Sequence, residues 1–176
     1  VDRTARVAGR PAYQLVLTPR DGRTLIASVR IALDSATSVP LRVQVYARGQ
    51  SAPAVEIGFT DVSFRVPASS VFRFTLPAGA RVTERAVTPD DVAGSSDAVR
   101  PTVIGRGWTA VLETRTRLAT DASGRQVLDR LSTPVAGGRL VTTRLVSVLL
   151  TDDGRVLAGA VAPDALRRVA ATGKPL

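Results

Sequence analysis

The sequence predicts a mainly β fold of the α+β class, with an antiparallel sheet and a few short helices. Apolar and polar residues alternate in successive segments between Thr24 and Arg65, and this is the period of a half-buried strand. The connections at 34–40 and 49–53 are short and contain proline, and connections of this length favour antiparallel neighbours. Helical spacing of apolar residues is confined to two short segments in the last third of the chain.

The first predicted element is a short strand, Ala12 to Thr18, with apolar residues on both faces. Turn residues at 19–22 end it. A central meander of three strands follows, at 24–34, 41–48 and 55–66. In the third strand the apolar positions change from odd to even numbers near Thr60 and Asp61, so we predict a bulge or sharp bend there.

After the meander, strands are predicted at 71–76 and 81–87. Residues 88–101 are rich in turn formers, which indicates a mobile loop or linker. The predicted organisation is therefore a meander domain at 1–87, a linker at 88–101 and a C-terminal region at 102–176 that packs on or extends the sheet.

The C-terminal region has strand candidates at 108–118, 140–150 and 155–161. Asp152, Asp153 and Gly154 have the composition of a hairpin turn between the last two strands. Two short helices are expected, one at 126–131 and one that begins at Pro163 and ends at Gly173.

The residue types exclude several classes of enzyme. The chain has no His and no Cys, so its residues cannot build a Ser-His-Asp triad, a Cys-His pair, a thiolate metal site or an imidazole zinc site. The 15 acidic residues are scattered along the sequence and form no evident acid-base pair. We therefore expect no enzymatic activity, no bound metal and no cofactor.

The net charge of +9 raises the question of a nucleic-acid partner, because clustered arginines can neutralise phosphates. Here Arg30, Arg42, Arg48 and Arg65 fall on polar positions of alternating strands, as expected for a solvated sheet face. One Trp, two Tyr and four Phe offer little stacking on bases. We expect no nucleic-acid partner, whereas an acidic protein and peripheral association with an anionic membrane both stay open.

The order and spacing of four segments resemble the later half of the LolA-like domain, which lipoprotein carriers share with the RseB/MucB regulators. The segments are VAGRPAYQLVL, SVRIALDSATSVPLRVQVYA, IGFTDVSF and FRFTLPAGARV. They contain a strand that ends in Asp34, an F-x-x-V-x-F pattern from Phe59 and an F-x-F-x-x-P-x-G pattern from Phe72. Residues 101–171 are similar to the extra C-terminal section of actinobacterial members.

The resemblance implies a strongly curved antiparallel sheet, an incomplete LolA-like half-barrel closed on its concave side by helices. It also implies an acyl lipid or lipoprotein as ligand, and a location outside the cytoplasm, in the cell envelope or secreted. The chain begins with Val and contains no Met. We therefore expect it to be the C-terminal portion of a longer protein that supplies the first strands and the lid helices.

Two functions fit the resemblance. One is a carrier-like domain that binds a lipid or lipoprotein on its apolar concave face, and the alternative is an RseB/MucB-like regulatory domain that binds an anti-sigma factor or another envelope protein. The candidate ligand surface consists of apolar positions of the three central strands: Leu25, Val29, Ile31, Val43, Val45, Ile57 and Phe59. These side chains could instead be core residues covered by a helix of the same protein, and both alternatives remain open.

Overall fold

The computed structural model describes residues 2–84, 86, 101–115 and 122–176. Within these ranges the chain forms eleven strands and two α-helices. The strands are β1 (Asp2–Val7), β2 (Arg10–Leu17), β3 (Ile26–Asp34), β4 (Pro40–Ala47), β5 (Val55–Gly58), β6 (Thr102–Ile104), β7 (Val111–Arg115), β8 (Thr133–Val135), β9 (Gly138–Thr142), β10 (Ser147–Thr151) and β11 (Arg155–Gly159). The helices are α1 (Ala122–Leu131) and α2 (Pro163–Thr172).

The predicted fold class is confirmed, because the fold is mainly β with a curled antiparallel half-barrel sheet and two short helices among the described residues. The first sheet contains β1 to β5 in sequence order. The second sheet has the order β6-β7-β11-β10-β9-β8. All the strand pairs described are antiparallel, and most of them join strands that follow each other closely along the chain.

The chain divides into two compact units, one made of Val1–Thr60 with Val99–Leu176 and the other of Asp61–Ala98. Both sheets belong to the first unit. In the second unit the described residues form a 3-10 turn at Ser69–Phe72 and no strand. The predicted linker at 88–101 lies outside the described residues except for Pro101.

Two strand predictions fall in this second unit. The strand predicted at 71–76 is wrong, because these residues pair with no described strand and a lone strand leaves its backbone N–H and C=O groups without partners. Of the strand predicted at 81–87, residues 81–84 are not a strand, while 85 and 87 lie outside the described part.

The central meander is confirmed as β3, β4 and β5, and the preceding strand as β2. The third strand is shorter than predicted and ends at Gly58. The bend predicted at Thr60 or Asp61 is confirmed, because the backbone bends at both residues just after β5 ends. Register shifts within the meander lie elsewhere, between Ile26 and Ser28 and between Ala32 and Leu33.

Strand β1 was not predicted from the sequence. It pairs with β2 through a tight hairpin in which Ala8 has φ 50° and Gly9 has φ 73°. Glycine adopts the left-handed region without steric cost, which allows a two-residue hairpin of this kind. The sequence of β1, DRTARV, has too few apolar residues to show a clear alternation.

The second sheet contains the predicted hairpin, with β10 and β11 joined by residues 152–154. The strand predicted at 140–150 is wrong as a single element, because β9 and β10 are separated by a turn at 143–146. The Thr143 hydroxyl explains the break. It accepts hydrogen bonds from the backbone N–H groups of Leu145 (3.3 Å) and Val146 (3.0 Å), a local alternative to the sheet ladder.

The strand predicted from Trp108 begins later. Gly107–Thr109 is a 3-10 turn and β7 starts at Val111, because Gly105 and Gly107 adopt left-handed φ angles of 85° and 64°, which break an extended strand. Residues 116–118 of that prediction lie outside the described ranges.

Helix α2 covers one face of the second sheet, and both predicted helices are confirmed as α1 and α2. Pro163 lies in the first turn of α2, and Gly173 ends it in the left-handed conformation with its N–H bonded to Val169 O (2.8 Å). The buried core between helix and sheet consists of Val111, Leu149, Leu157, Val161, Leu166 and Val169.

The two sheets meet at a short seam between Thr24 and the segment after β11. Thr24 forms an isolated antiparallel bridge with Val161. The carbonyl of Ala160 accepts hydrogen bonds from Leu25 N (2.8 Å) and from the Thr24 hydroxyl (2.9 Å). On the second-sheet side of the seam, the hydroxyl of the fully buried Ser147 donates to Val161 O (2.8 Å) and fixes the segment after β11 to β10. The seam therefore joins the start of β3 to the second sheet.

Candidate functional site

The register of the first sheet aligns apolar side chains from four strands. Residues directly opposite each other on neighbouring strands point to the same face. Two rows therefore cross one side of the sheet, named here the apolar face: Leu15, Ile31, Val43 and Ile57 in the first row, and Leu17, Val29, Val45 and Val55 in the second. Tyr13, opposite Leu33, extends this face at its other end.

The apolar face is open to solvent. Ile57 is 72% exposed, and Leu15, Leu17 and Val55 are between 38% and 42% exposed. The four central residues of the two rows are half-buried. Complete burial of an aliphatic side chain is favourable by about 1.5–3 kcal/mol, so an apolar partner that covers this face would gain free energy at each position.

The structure brings most of the predicted ligand surface together. Val29, Ile31, Val43, Val45 and Ile57 all lie in the two rows. Their shared face follows from the strict alternation of β3 and β4, which the sequence pattern had indicated.

The two remaining predicted residues lie outside the rows. Phe59 directly follows β5, with its N–H bonded to Leu41 O (2.9 Å) and its side chain 52% exposed. Leu25 precedes β3, and the register shift between Ile26 and Ser28 interrupts the alternation between it and Val29. Leu25 therefore does not belong to the apolar face, and its backbone is part of the seam.

A groove lies at the β5 side of the apolar face. Its volume is about 180 Å³. Val43, Ile57 and Phe59 line it from the predicted surface, and Pro40, Leu41, Arg42 and Gly58 complete the lining. The groove is smaller than the roughly 300–1,000 Å³ of pockets that enclose a drug-sized ligand, so it can hold only part of one.

The opposite side of the first sheet is polar, and its side chains contact each other. The Arg30 guanidinium carbon lies 4.5 Å from the centre of the Tyr46 ring, a favourable cation–π distance. Gln44 Nε2 donates to Glu56 Oε2 at 2.6 Å. Hydrogen bonds and ring contacts of this kind occupy these polar groups.

Asp34 organises one end of the first sheet. Its side chain is completely buried and receives hydrogen bonds from Arg10 Nε (2.5 Å) and Nη2 (3.1 Å). It also accepts from the N–H groups of Ala36 (3.1 Å) and Thr37 (2.9 Å) in the β3–β4 turn. The Arg10 guanidinium, followed by the Thr37 hydroxyl, holds the pKa of Asp34 well below its usual range, against the opposing effect of burial.

The other end of the first sheet carries three arginines. Arg23 Nη2 pairs with Asp21 Oδ2 at 2.6 Å, and hydrogen bonds from Arg23 lower the pKa of Asp21 to about 2. Arg48 donates from Nε to Thr24 O (2.6 Å) and from Nη2 to Asp21 O (3.3 Å). Arg20 is exposed in the same connection. This group is named here the basic end.

A second groove, of about 320 Å³, lies beside α2 and the β10–β11 turn. Three of its charged side chains, Asp153, Arg155 and Arg167, form ion pairs. Arg155 Nε bonds Asp153 Oδ2 (2.8 Å), and Arg155 Nη1 bonds Ala170 O near the end of α2 (3.1 Å). Arg167 pairs with Asp164 at 2.5 Å. These contacts tie the β10–β11 turn to the end of α2.

In the part of the chain that the structure describes, no three His, Cys, Asp or Glu side chains come close enough to hold a metal ion. Each buried side-chain nitrogen or oxygen in those ranges has a hydrogen-bond partner. Among the described helices, none is long and apolar enough to cross a membrane.

Sequence reasoning did not include Leu15, Leu17 and Val55 in the candidate surface. Leu15 and Leu17 belong to β2, whose sequence is apolar on both faces and so does not show which side joins the meander. Their odd numbering, shared with Tyr13, is the signal that could have placed them. Val55 has the same parity as Ile57, and its position in the second row follows from that spacing.

Comparison with known proteins gives a likeness of fold. No protein-family model and no curated protein matches the chain. The structure of the Pseudomonas aeruginosa MucA/MucB complex is 23% identical to the chain with a TM-score of 0.47, and the match covers 95% of this chain and 60% of that one. The structure of MucB in complex with MucA(peri) is 20% identical with a TM-score of 0.47, and the match covers 95% of this chain and 63% of that one. The structure of MucB is 23% identical with a TM-score of 0.39, and the match covers 94% of this chain and 57% of that one. The chain thus spans between 57% and 63% of the length of these proteins.

Proposed function

We propose that this chain is a non-enzymatic, extracytoplasmic binding domain of the RseB/MucB-like regulatory kind, whose apolar face takes an acyl chain of a lipid or lipoprotein. The observation that carries the proposal is the pair of solvent-exposed aliphatic rows across β2 to β5. Withdrawal of hydrocarbon from water is favourable by about 0.8 kcal/mol per methylene. The two rows offer aliphatic side chains alone to such a ligand.

The second candidate is a lipoprotein carrier, which the aliphatic chemistry of the rows also favours. A carrier has to keep its ligand out of water during transfer, and this requires an enclosing cavity. The described groove of about 180 Å³ is open and small compared with enclosing pockets of roughly 300–1,000 Å³. The geometry therefore favours a domain that binds its ligand on an open face over a carrier that encloses its ligand.

The regulatory function requires a protein partner as well. The sequence resemblance implies an anti-sigma factor or another protein of the cell envelope. The net charge of +9 suits an acidic surface on that partner, because complementary charge accelerates encounter and selects against basic competitors.

A pair of neighbouring residues tests the acyl-binding face. Leu15 is 39% exposed on the apolar face, and Val16 is 42% exposed on the opposite face of the same strand. Leu15→Asp should weaken binding of cis-parinaric acid, a fluorescent fatty acid, by at least about fivefold, because the carboxylate would replace an apolar contact. Val16→Asp introduces the same charge on the polar side and should leave affinity unchanged.

Fluorescence titration of the wild type and the two folded variants with cis-parinaric acid tests whether the ligand binds on the apolar face. Equal affinity in all three, or a loss confined to Val16→Asp, would show that the ligand lies elsewhere. Pull-down of a membrane-bound anti-sigma factor from the native envelope would favour the regulator. Transfer of a bound lipoprotein to acceptor membranes, without such a partner, would favour the carrier.

A further inference from the structure

The described part of the second unit has no core of its own. Among residues 61–84 none is buried, and Val62 alone is half-buried. Six large apolar side chains of this stretch, named here the phenylalanine loop, are between 44% and 93% exposed: Val66, Val71, Phe72, Phe74, Leu76 and Val82. Exposed apolar surface concentrated in one segment marks a binding surface for a protein or a membrane.

Positive charge is interleaved with the phenylalanine loop. Between positions 62 and 83 the sequence contains no acidic residue and three arginines: Arg65, Arg73 and Arg81. All three are exposed, and within the described residues none of them pairs with a carboxylate. The nearest acids along the sequence, Asp61 and Glu84, lie at the two borders of the stretch. A partner that complements this segment is therefore both apolar and anionic.

The backbone of the phenylalanine loop favours a membrane over a protein as that partner. Its described backbone–backbone hydrogen bonds are confined to two turns, at 68–73 and 77–80. Beneath a closely packed protein, the other N–H and C=O groups would lose water and would need new hydrogen-bond partners. At a bilayer surface the side chains alone enter the hydrocarbon boundary, so the backbone keeps its water in the head-group layer.

The position of Arg73 between Phe72 and Phe74 suits the same boundary. A phenylalanine ring gains free energy when it leaves water for the edge of the hydrocarbon. The long apolar stem of arginine lets its guanidinium reach the lipid phosphates while its neighbours are inserted. Anionic lipids attract basic residues held close to the membrane surface, so both kinds of side chain contribute to binding.

We infer that the phenylalanine loop docks the protein on the surface of an anionic membrane, with Phe72 and Phe74 inserted at the hydrocarbon boundary and the arginines at the lipid phosphates. This surface is separate from the apolar face of the first sheet and adds a membrane contact to the proposed function. Binding depends on apolar burial together with charge. It is therefore stronger on anionic than on zwitterionic vesicles and weakens as salt screens the arginines.

Co-sedimentation with vesicles measures this binding. The vesicles contain phosphatidylcholine mixed with phosphatidylglycerol, or phosphatidylcholine alone. Phe74→Ser should lower the partition constant on the anionic vesicles at least about fivefold, and Arg73→Gln should lower it about fivefold. The matched controls are Leu131→Ser, at a 66% exposed residue in the last turn of α1, and Arg144→Gln, at an exposed residue of the β9–β10 turn. Both controls should bind like wild type.

The absence of cysteine from the sequence allows a depth probe at one chosen position. The fluorophore NBD is attached to Phe74→Cys or to Leu131→Cys. On anionic vesicles the emission from position 74 should shift to the blue and be quenched by spin-labelled lipids. The emission from position 131 should stay at its wavelength in water.

Each outcome decides for or against the inference. Losses in Phe74→Ser and Arg73→Gln with intact controls support it, as does a blue shift confined to position 74. Wild type that does not bind the anionic vesicles overturns it, and so do equal shifts at both labelled positions. If Leu15→Asp loses vesicle binding and Phe74→Ser keeps it, the lipid lies on the apolar face, which supports the proposed function and rejects this inference.

A protein partner at the phenylalanine loop gives a different pattern. Phe74→Ser would then bind anionic vesicles as well as wild type but would fail to pull down the anti-sigma factor, and this result also overturns the inference. Absence of both vesicle binding and cis-parinaric acid binding in wild type would reject the inference and the proposed function together.

Discussion

Ile57 is the residue on the apolar face with the most surface still to be buried, so its substitution gives a quantitative test. Its side chain is 72% exposed. Complete burial of an isoleucine contributes about 1.5–3 kcal/mol, so burial of the exposed part by a ligand contributes about 1–2 kcal/mol. Ile57→Ser should therefore weaken binding of cis-parinaric acid by roughly 5- to 30-fold.

The same exposure predicts that the fold tolerates the change. A substitution at an exposed edge position typically alters the free energy of unfolding by no more than about 0.5 kcal/mol, which urea denaturation can verify. Glu56→Ser is the matched control, because Glu56 is the adjacent residue of β5 and points to the polar face. If Ile57→Ser is folded and binds the probe as tightly as wild type, the ligand does not cover β5 and the assignment of the apolar face fails.

Three further predictions concern the fold. In urea denaturation, Gly138→Ala should lower the free energy of unfolding far more than Gly137→Ala, because a Cβ at Gly138 would lie 2.0 Å from Leu150 O. A Cβ at Gly137 meets nothing within 4 Å, so that substitution costs only the left-handed backbone conformation, about 1–2 kcal/mol. Similar losses in the two variants would contradict this. Leu166→Ala, at a completely buried position of α2, should lower the free energy of unfolding by about 2–5 kcal/mol, and a Tm unchanged from wild type would show that α2 does not pack as described. The pKa of Asp34 is lowered in the folded protein, so the stabilisation by its carboxylate is complete above the unfolded pKa near 4 and is lost as pH falls through the folded pKa. In thermal melts from pH 7 to pH 2, the Tm of Asp34→Asn should therefore fall less steeply with acid than the Tm of wild type. Parallel curves of Tm against pH would refute this.

The faces of the central strands could be predicted from sequence because they depend on local alternation. Val29, Ile31, Val43 and Val45 are two residues apart within regular strands, so parity alone places them on one side. Leu25 has the same parity but lies beyond a register shift. Such a shift is set by pairing with the neighbouring strand, and one displaced residue reverses the face of every residue beyond it.

The end of β5 and the strand β1 could not be predicted from the sequence for the same reason. β5 ends at Gly58 although the apolar pattern continues, because a strand lasts only as long as a neighbour pairs with it. β1 forms from a charged sequence because the Ala8–Gly9 hairpin brings it to β2. The ligand surface was therefore predicted in its centre, and its margins at β2 and β5 depend on contacts between segments far apart in the sequence.

The seam between the sheets has a consequence for how the protein opens. It consists of the Thr24–Val161 bridge and two hydrogen bonds to the Ala160 carbonyl, whereas each sheet has its own continuous ladder of pairs. Amide protons of the two sheets should therefore exchange with deuterium as two groups with separate opening free energies. The Leu25 amide, bonded across the seam to Ala160, should exchange with whichever group opens first.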